Sequence, residues 1–463
     1  MLDTLIEAQA GTVPVRPTTP ARLKRWLAGA TPPRATAAER AWVAASGFAA
    51  RPGSVCLLPA KDGSLAGVLF GADAHDPWVW ASLPAALPAG RYHLEGGLDA
   101  ATAAWAALGW ALASYRFDRY RKPSERAVPL LAWPKGADRA QVRRTLAAIA
   151  LVRDLVNTPA ADLGPAELAE AAESLAHRHG ASVRTTVGEA LPAGGFPAVH
   201  AVGQAAARAP RVIDMVWGDP GAPAVTLVGK GVCFDSGGLD IKPSAAMKLM
   251  KKDMGGAAHV LALAGMIMDA GLRLRLRVLV PAVENAVGGN ALHPLDVIRM
   301  ANGTSVEVGN TDAEGRLILA DCLIAAGRER PDLLLDIATL TGAARTALGP
   351  ELPALFTPDD TLAAEIEAAA LVERDPLWRL PLWRPYRGML DSKVADISSA
   401  SDSPFAGAVT AALFLAEFVP ARIPWAHLDV YAWNPASRPG RPEGGEAMGL
   451  RALYRAITAR CRS

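Results

Sequence analysis

The run Val225–Ala258, VTLVGKGVCFDSGGLDIKPSAAMKLMKKDMGGAA, sets the fold class. Its first residues are apolar and partly β-branched, as a buried strand requires, and its last residues open the helix-period stretch MGGAAHVLALAGMIMD. Between them stand Gly229, Gly231, Gly237 and Gly238, which permit unusual backbone angles and close packing around a bound group. Lys230, Asp235, Lys242 and Asp253 share the same stretch. A strand that passes through a polar turn into a helix is the repeating unit of α/β folds, and ligands of such folds gather outside the strand ends.

Outward from this run the alternation continues. RVIDMVW precedes it; LRLRLRVLVPAV, SVEVG, a helix after 316 and DLLLDIATLTG follow. The pattern predicts an α/β domain with a mostly parallel central sheet flanked by helices, although LRVLVPAV is strand or helix by composition alone. Towards the N-terminus, helical pieces alternate with the Pro-rich breaks RPTTP and TPPRAT over the first 45 residues or so. Strand-like SVCLLPA, SLAGVLFGA, PWVWASLP and GRYHLEGG come next, then a helix-period stretch over 100–120. RKPSERAVPLLAWPKGAD reads as a boundary, and a helix over about 139–156 would bridge two domains. The expected division is a small N-terminal α/β domain, 1–135, and a larger C-terminal α/β domain, 136–463, that carries the chemistry.

A chain of 463 residues exceeds one compact core, in keeping with two domains or three. With 51% hydrophobic and 20% charged residues it is globular, and a net charge of +2 without a basic run offers nothing to nucleic acid. The start MLDTLIEAQAGTV lacks the basic and apolar regions of a signal peptide, and no run reaches the ~20 apolar residues of a membrane helix. Cys56, Cys233, Cys322 and Cys461 form no CxxC pair, as expected of reduced thiols. A cytoplasmic protein is expected.

The second polar constellation is NTDAEGRL, Asn310–Leu317. Thr311 and Glu314 have capping-box spacing before RLILADCLIAAGRER. Asn310, Asp312, Glu314, Gly315 and Asp321 imitate positions of a calcium loop, but SVEVG stands where the entering helix belongs. The third reading is a catalytic metal site that draws further ligands from the first run. Taken singly, Lys230 reads as a surface lysine and Asp253 as an acid favoured by a helix N-terminus. A phosphate loop lacks its GxxxxGK[ST] signature.

Charge favours the combined site. Asp235, Asp253, Asp312 and Glu314 bring four negative charges, the number that two divalent cations neutralise, and without metal they would raise one another's pKa values. Two such cations can polarise a carbonyl and activate a shared water. A lysine joins such ligands only as the neutral amine. Oxygen-rich ligation suits Mn, Mg or Zn alike.

With these residues in place the chain closely resembles the leucyl aminopeptidase (cytosol aminopeptidase) family. The resemblance rests on the two central runs and on the flanks RDLVNTPA, DIATLTGA, ADISS, AVTAALFLAEF and WAHLDV, and covers roughly 145–455. It implies a dinuclear metallopeptidase that removes N-terminal residues from peptides. Lys230, Asp235, Asp253 and Glu314 would hold one metal; Asp235, Asp312 and Glu314 would hold the other, with the Asp312 carbonyl. Lys242 and Arg316 match the two catalytic positions outside the ligand set, Lys242 for the oxyanion and Arg316 for a bicarbonate that relays protons. Zn or Mn are the implied metals, with Mg or Co admissible. Thr339 and Leu340 would position the substrate backbone, while Met250, Thr339 and Gly342 would form part of the first side-chain pocket, suited to Leu or Met. A homohexamer, a dimer of trimers, is implied as well.

Two positions and one stretch depart from the family pattern: Cys233 within the metal loop, Ala406 in place of a frequent glycine, and YAWNPASRPGRPEGGEAMG after WAHLDV. His259, His293 and His427 match no ligand position and are assigned structural roles. Another two-metal hydrolase, or a metal-bound scaffold without turnover, are the alternatives; intact Lys242 and Arg316 argue against the scaffold.

Overall fold

The computed structural model describes residues 1–30, 34–73, 76–122 and 127–461. The break TPPRAT and the boundary segment RKPSERAVPLLAWPKGAD therefore lie partly outside the described residues. The chain forms two compact units, Met1–Ala150 with Ala436–Glu443, and Leu151–Pro435 with Gly444–Ser463. The division falls within the helix Arg139–Asn157, and 436–443, within the divergent stretch after WAHLDV, belongs to the first unit.

The first unit holds a six-stranded sheet in the order Leu5–Ile6, Leu130–Ala132, Arg91–Leu94, Val13–Thr18, Leu65–Gly71, Val55–Pro59. Its pairs are parallel except the last. Two strand-level expectations need correction. PWVWASLP is a 3-10 turn, Pro77–Ser82, followed by a short helix, because Asp76 accepts the Trp78 N–H at 2.8 Å and Pro77 fixes the first turn. RPTTP is no simple break: Val13–Thr18 is the strand next to the centre of the sheet. The helix expected over 100–120 ends at Ala113, where Ser114 turns its hydroxyl back onto the Ala111 carbonyl at 2.7 Å.

The second unit is built on a nine-stranded sheet. Its order is Trp378–Arg379, Ala354–Phe356, Trp425–Asp429, Leu333–Ala338, Ala224–Gly229, Arg275–Asn285, Arg211–Gly218, Ser182–Val187, with Gly231–Asp235 also on Arg275–Asn285. The ambiguous LRVLVPAV is thus a strand, and the sheet is parallel through its middle, with antiparallel pairs towards both sides. SVEVG is not in it: Ser305–Glu307 pairs in a separate three-stranded sheet with Val297–Arg299 and Ile397–Ser398. Val212, Val228, Leu279 and Leu334 share one core with Leu317–Leu319 and Leu413–Leu415 of the helices Glu314–Gly327 and Gly407–Ala416. The helix Gly255–Asp269 packs on the same central strands and on the helices Pro165–His179 and Leu450–Arg460. Central strands buried on both faces explain their continuous apolar sequences. Among the described residues, no helix is long and apolar enough to cross a membrane.

Two local features carry predictions. Ala406 holds φ at +59° as the N-cap of Gly407–Ala416, a conformation that costs a residue with a Cβ about 1–2 kcal/mol. Ala406→Gly should therefore stabilise the protein by about 0.5–1 kcal/mol after glycine's own entropy cost, measured as a shift in the denaturant midpoint.

Asp321 lies wholly buried in the middle of Glu314–Gly327, where Oδ2 accepts the N–H groups of Ala198 and Val199 at 2.7 and 3.0 Å. Burial pushes its carboxyl from 3.8 up to about 8 against those two hydrogen bonds. With the folded pKa above the unfolded one, the folded state binds the extra proton, so this group's contribution to stability falls as pH rises from about 4 to about 8. Asp321→Asn, which cannot ionise, should gain on the wild type over that interval, with unfolding measured at pH 5 and pH 8 as the check.

Candidate metal centre

The site lies at the carboxyl ends of parallel strands. Lys230 follows Ala224–Gly229, Asp235 ends Gly231–Asp235, Asn285 ends Arg275–Asn285, Thr339 follows Leu333–Ala338, and Asp429 ends Trp425–Asp429. In a regular strand Lys230 and Asp235, five positions apart, would point to opposite faces. They do not, because the ladder against Arg275–Asn285 skips Cys233: Val232 pairs with Val283, Phe234 with Glu284 and Asp235 with Asn285. The bulge returns Asp235 to the Lys230 side. Cys233 itself is buried, its Sγ directed to the Gly231 carbonyl at 3.7 Å; burial pushes its thiol up, and it is not among the residues whose ligand atoms converge.

The helix starts come equally close. A Cβ on Gly256 would fall 2.0 Å from the Ile337 carbonyl and 2.8 Å from the Lys230 nitrogen, and one on Gly315 would fall 2.5 Å from Lys230 Cε. Glycine at both positions lets the helices Gly255–Asp269 and Glu314–Gly327 deliver Asp253 and Glu314 against the lysine.

Lys230 Nζ lies 2.6 Å from Asp253 Oδ2 and 2.9 Å from Glu314 Oε1, and donates to the Thr339 carbonyl at 3.0 Å. Lys242 Nζ lies 2.6 Å from Asp235 Oδ2 and also contacts Asp312 Oδ1. Asp235, Asp312 and Glu314 each offer an oxygen within 4.8 Å of the others. Asp235 Oδ1 accepts from the Gly237 N–H and from Asn285 Nδ2, both at 2.9 Å; Thr339 Oγ1 donates to Asp253 Oδ1 at 2.8 Å. Lys230 is 3% exposed, which excludes a surface lysine.

Burial and mutual repulsion both act on the clustered acids. Burial and then Asp235 push the Glu314 carboxyl up to about 8, and the same two causes push Asp312 up to about 6. Burial raises Asp253 as well. Burial alone would lower Lys230 and Lys242, but the surrounding carboxylates outweigh it and hold both above the ordinary lysine value. Asp253 Oδ2, Asp312 Oδ1 and Glu314 Oε1 are buried, and each lies against the ammonium group of Lys230 or Lys242. Converging carboxylate oxygens with an amine among them fit divalent cations.

The other readings of NTDAEGRL fail on geometry. Thr311 is not a cap: its hydroxyl donates to the Gly237 carbonyl at 2.7 Å and accepts the Asp240 N–H at 2.8 Å. Asn310 caps the 3-10 turn Thr311–Ala313, taking the Asp312 N–H, and the α-helix begins at Glu314 with no side-chain cap. A calcium loop is excluded because its second half is that helix, with Asp321 turned away into the core.

The remaining sequence-derived residues line one cavity of about 690 Å³ with Lys230, Asp235, Lys242, Asp253, Asp312 and Arg316: Met250, Thr339, Leu340 and Gly342. Glu314 reaches the same centre from behind Lys230, without lining the cavity. The Leu340 N–H is taken by Asp429 Oδ1 at 3.0 Å, while a Cβ on Gly342 would meet open space. Arg316 donates Nη1 to the Ser399 carbonyl at 2.7 Å; its Nε has no hydrogen-bond partner among the described residues, and burial lowers its pKa to about 10.

The histidines keep structural partners. His259 Nε2 accepts the Met448 N–H at 2.9 Å, and His427 Nδ1 lies 2.5 Å from Asp336 Oδ1. His293 Nδ1 lies 3.4 Å from Asp296 on the surface. Asn285 was not singled out in sequence. Its signal is a polar residue ending an otherwise apolar strand, and its Nδ2 links Asp235 to the Thr311 carbonyl at 3.1 Å.

A cavity at the ends of parallel strands, lined by acids, lysines and an arginine, is where α/β enzymes hold their ligands. A model of the cytosol aminopeptidase family, catalytic domain, matches residues 150–454, and a model of the M17 aminopeptidase N-terminal domain matches 13–134. The probable cytosol aminopeptidase of Syntrophotalea carbinolica is 43% identical over 364 residues, 74% of this chain and 72% of that protein. The one of Caulobacter vibrioides is 41% identical over 382 residues, 79% of this chain and 77% of that protein. Among solved structures, the cytosol aminopeptidase from Coxiella burnetii superposes with a TM-score of 0.95 at 48% identity, covering 99% of both chains. The bottromycin maturation enzyme BotP, solved in complex with Mn, superposes with a TM-score of 0.86 at 36% identity, covering 98% of this chain and 100% of that one. The chain belongs to the cytosol aminopeptidase family, which makes it an aminopeptidase.

Proposed function

We propose that this aminopeptidase depends on two divalent cations, one held by Lys230, Asp235, Asp253 and Glu314, the other by Asp235, Glu314 and Asp312 with its carbonyl. The observation that carries the reading is the convergence of carboxylate oxygens of Asp235, Asp312 and Glu314 within 4.8 Å of one another, with Asp253 and Glu314 both against the Lys230 amine. Manganese in BotP supports divalent metal in this family without choosing among Mn, Zn, Mg and Co.

When bound, the cations supply an activated water and an electrostatic grip on the scissile carbonyl. The residues of the chain do the rest. Lys230 joins the ligands as the free amine. Lys242, which lines the cavity outside the proposed ligand set, would offer its ammonium to the negative charge that develops on the scissile carbonyl oxygen. Arg316, which lines the cavity, would hold a bicarbonate that relays protons. Asn285 fixes the Asp235 carboxylate. Met250 and the open space at Gly342 suit a Leu- or Met-like first residue. A cytoplasmic homohexamer acting on peptides completes the reading.

Leucyl-nitroanilide hydrolysis tests it. Stringent chelation should abolish activity, and addition of Mn, Zn, Mg or Co should restore it; full activity after chelation would sink the proposal.

A further inference from the structure

Lys252 and Arg345 line the same cavity but take no part in the proposed metal centre. Lys252 is 5% exposed, and its side chain makes no hydrogen bond or ion pair among the described residues. Its ammonium lies 4.8 Å from the centroid of the Tyr431 ring. Arg345 covers the same ring at 5.0 Å and donates Nη1 to the Tyr431 hydroxyl at 3.2 Å. Two cations therefore lie against one phenol ring.

The nearby acids are occupied. Asp253 is held by Lys230 and Thr339, and Asp429 accepts from Leu340 N–H, Thr341 N–H and Thr341 Oγ1 at 3.0, 3.3 and 2.6 Å. A ring face is a weaker partner for a buried ammonium than a carboxylate, so Lys252 remains under-compensated towards the cavity. Its position points to the part of the substrate concerned. Lys252 stands two residues beyond Met250 in the turn Met250–Met254, and Arg345 lies one helical turn beyond Gly342 in Gly342–Leu348. The elements that would bound the first side-chain pocket thus carry both cations.

We infer that this cationic end of the cavity receives the side-chain carboxylate of an N-terminal glutamate, so that peptides beginning with Glu are substrates beside those beginning with Leu or Met. Glutamate matches methionine in length, so its stem follows the same apolar wall and its carboxylate reaches the Lys252–Tyr431–Arg345 group. The inference rests on the aminopeptidase reading above.

The test compares kcat/KM for glutamyl- and glutaminyl-nitroanilide, two substrates of one shape, on the Mn-loaded wild type, Lys252→Met and Lys252→Arg. The wild type should favour Glu over Gln by about tenfold, Lys252→Met should lose that ratio, and Lys252→Arg should restore most of it. The ratio is internal to each protein, so a general loss of folded enzyme does not mimic the result. A ratio unchanged in Lys252→Met overturns the inference. So does charge discrimination confined to the second residue, measured with Leu-Glu-amide against Leu-Gln-amide. Failure of the wild type to hydrolyse leucyl-nitroanilide would strike the parent reading instead; calorimetric binding of free glutamate against glutamine would then still decide the subsite.

Discussion

Glu314→Ala should abolish turnover, lowering kcat/KM by at least about 10³, and should reduce bound metal below two ions per chain. The size of the effect follows from where the residue sits. Glu314 is 2% exposed, one oxygen faces Lys230 at 2.9 Å, and its carboxylate lies within reach of both Asp235 and Asp312. A residue that merely started the helix would cost about 1 kcal/mol when replaced and would leave metal content alone. Glu314 does not cap anything: the cap before it is Asn310, on the preceding turn. Glu314→Gln separates charge from shape, because it keeps the volume and loses the negative charge that two cations share. It should behave like the alanine variant in activity and metal content. Two ions still bound in either variant would remove the bridging role.

Lys242→Met should lower kcat by about 10²–10³ while the protein keeps its two metals. The contrast with Glu314 is the point of the experiment. Lys242 is tied to Asp235 and Asp312, yet lies outside the proposed ligand set and borders the cavity. Its loss removes a positive charge from the place where negative charge develops in the reaction, so the transition state suffers and the ground state does not. KM should change little. A loss of metal in step with activity would make Lys242 a structural counter-ion and not the oxyanion partner.

Much of the site was legible because its chemistry is written in short runs. Lys230, Asp235, Lys242 and Asp253 stand in one stretch and Asp312, Glu314 and Arg316 in another, and the charge sum of the four acids already demanded cations. What the sequence could not supply was the register. Period-two reasoning separates Lys230 from Asp235, and only the ladder's skip at Cys233 reunites them. The capping-box spacing at Thr311, one of three open readings, fails for a related reason: the hydroxyl is claimed by the Gly237–Asp240 loop far away in sequence. Asn285 and Lys252 stayed hidden because an amide at a strand end and one lysine among several announce themselves only through their partners. The same limit explains the fold. Alternation announced the parallel middle of the sheet, whereas SVEVG, a strand by composition, pairs elsewhere, since short strands choose partners through tertiary packing. PWVWASLP looked like a strand until Asp76 and Pro77 were seen to start a turn.

The central claim is a two-cation site between the Lys230 and Glu314 runs. Anomalous diffraction from crystals grown with Mn tests it most directly: two peaks per chain are predicted, both flanked by Asp235 and Glu314, with Lys230 and Asp253 on one and Asp312 on the other. A single peak, or peaks away from these carboxylates, would contradict it.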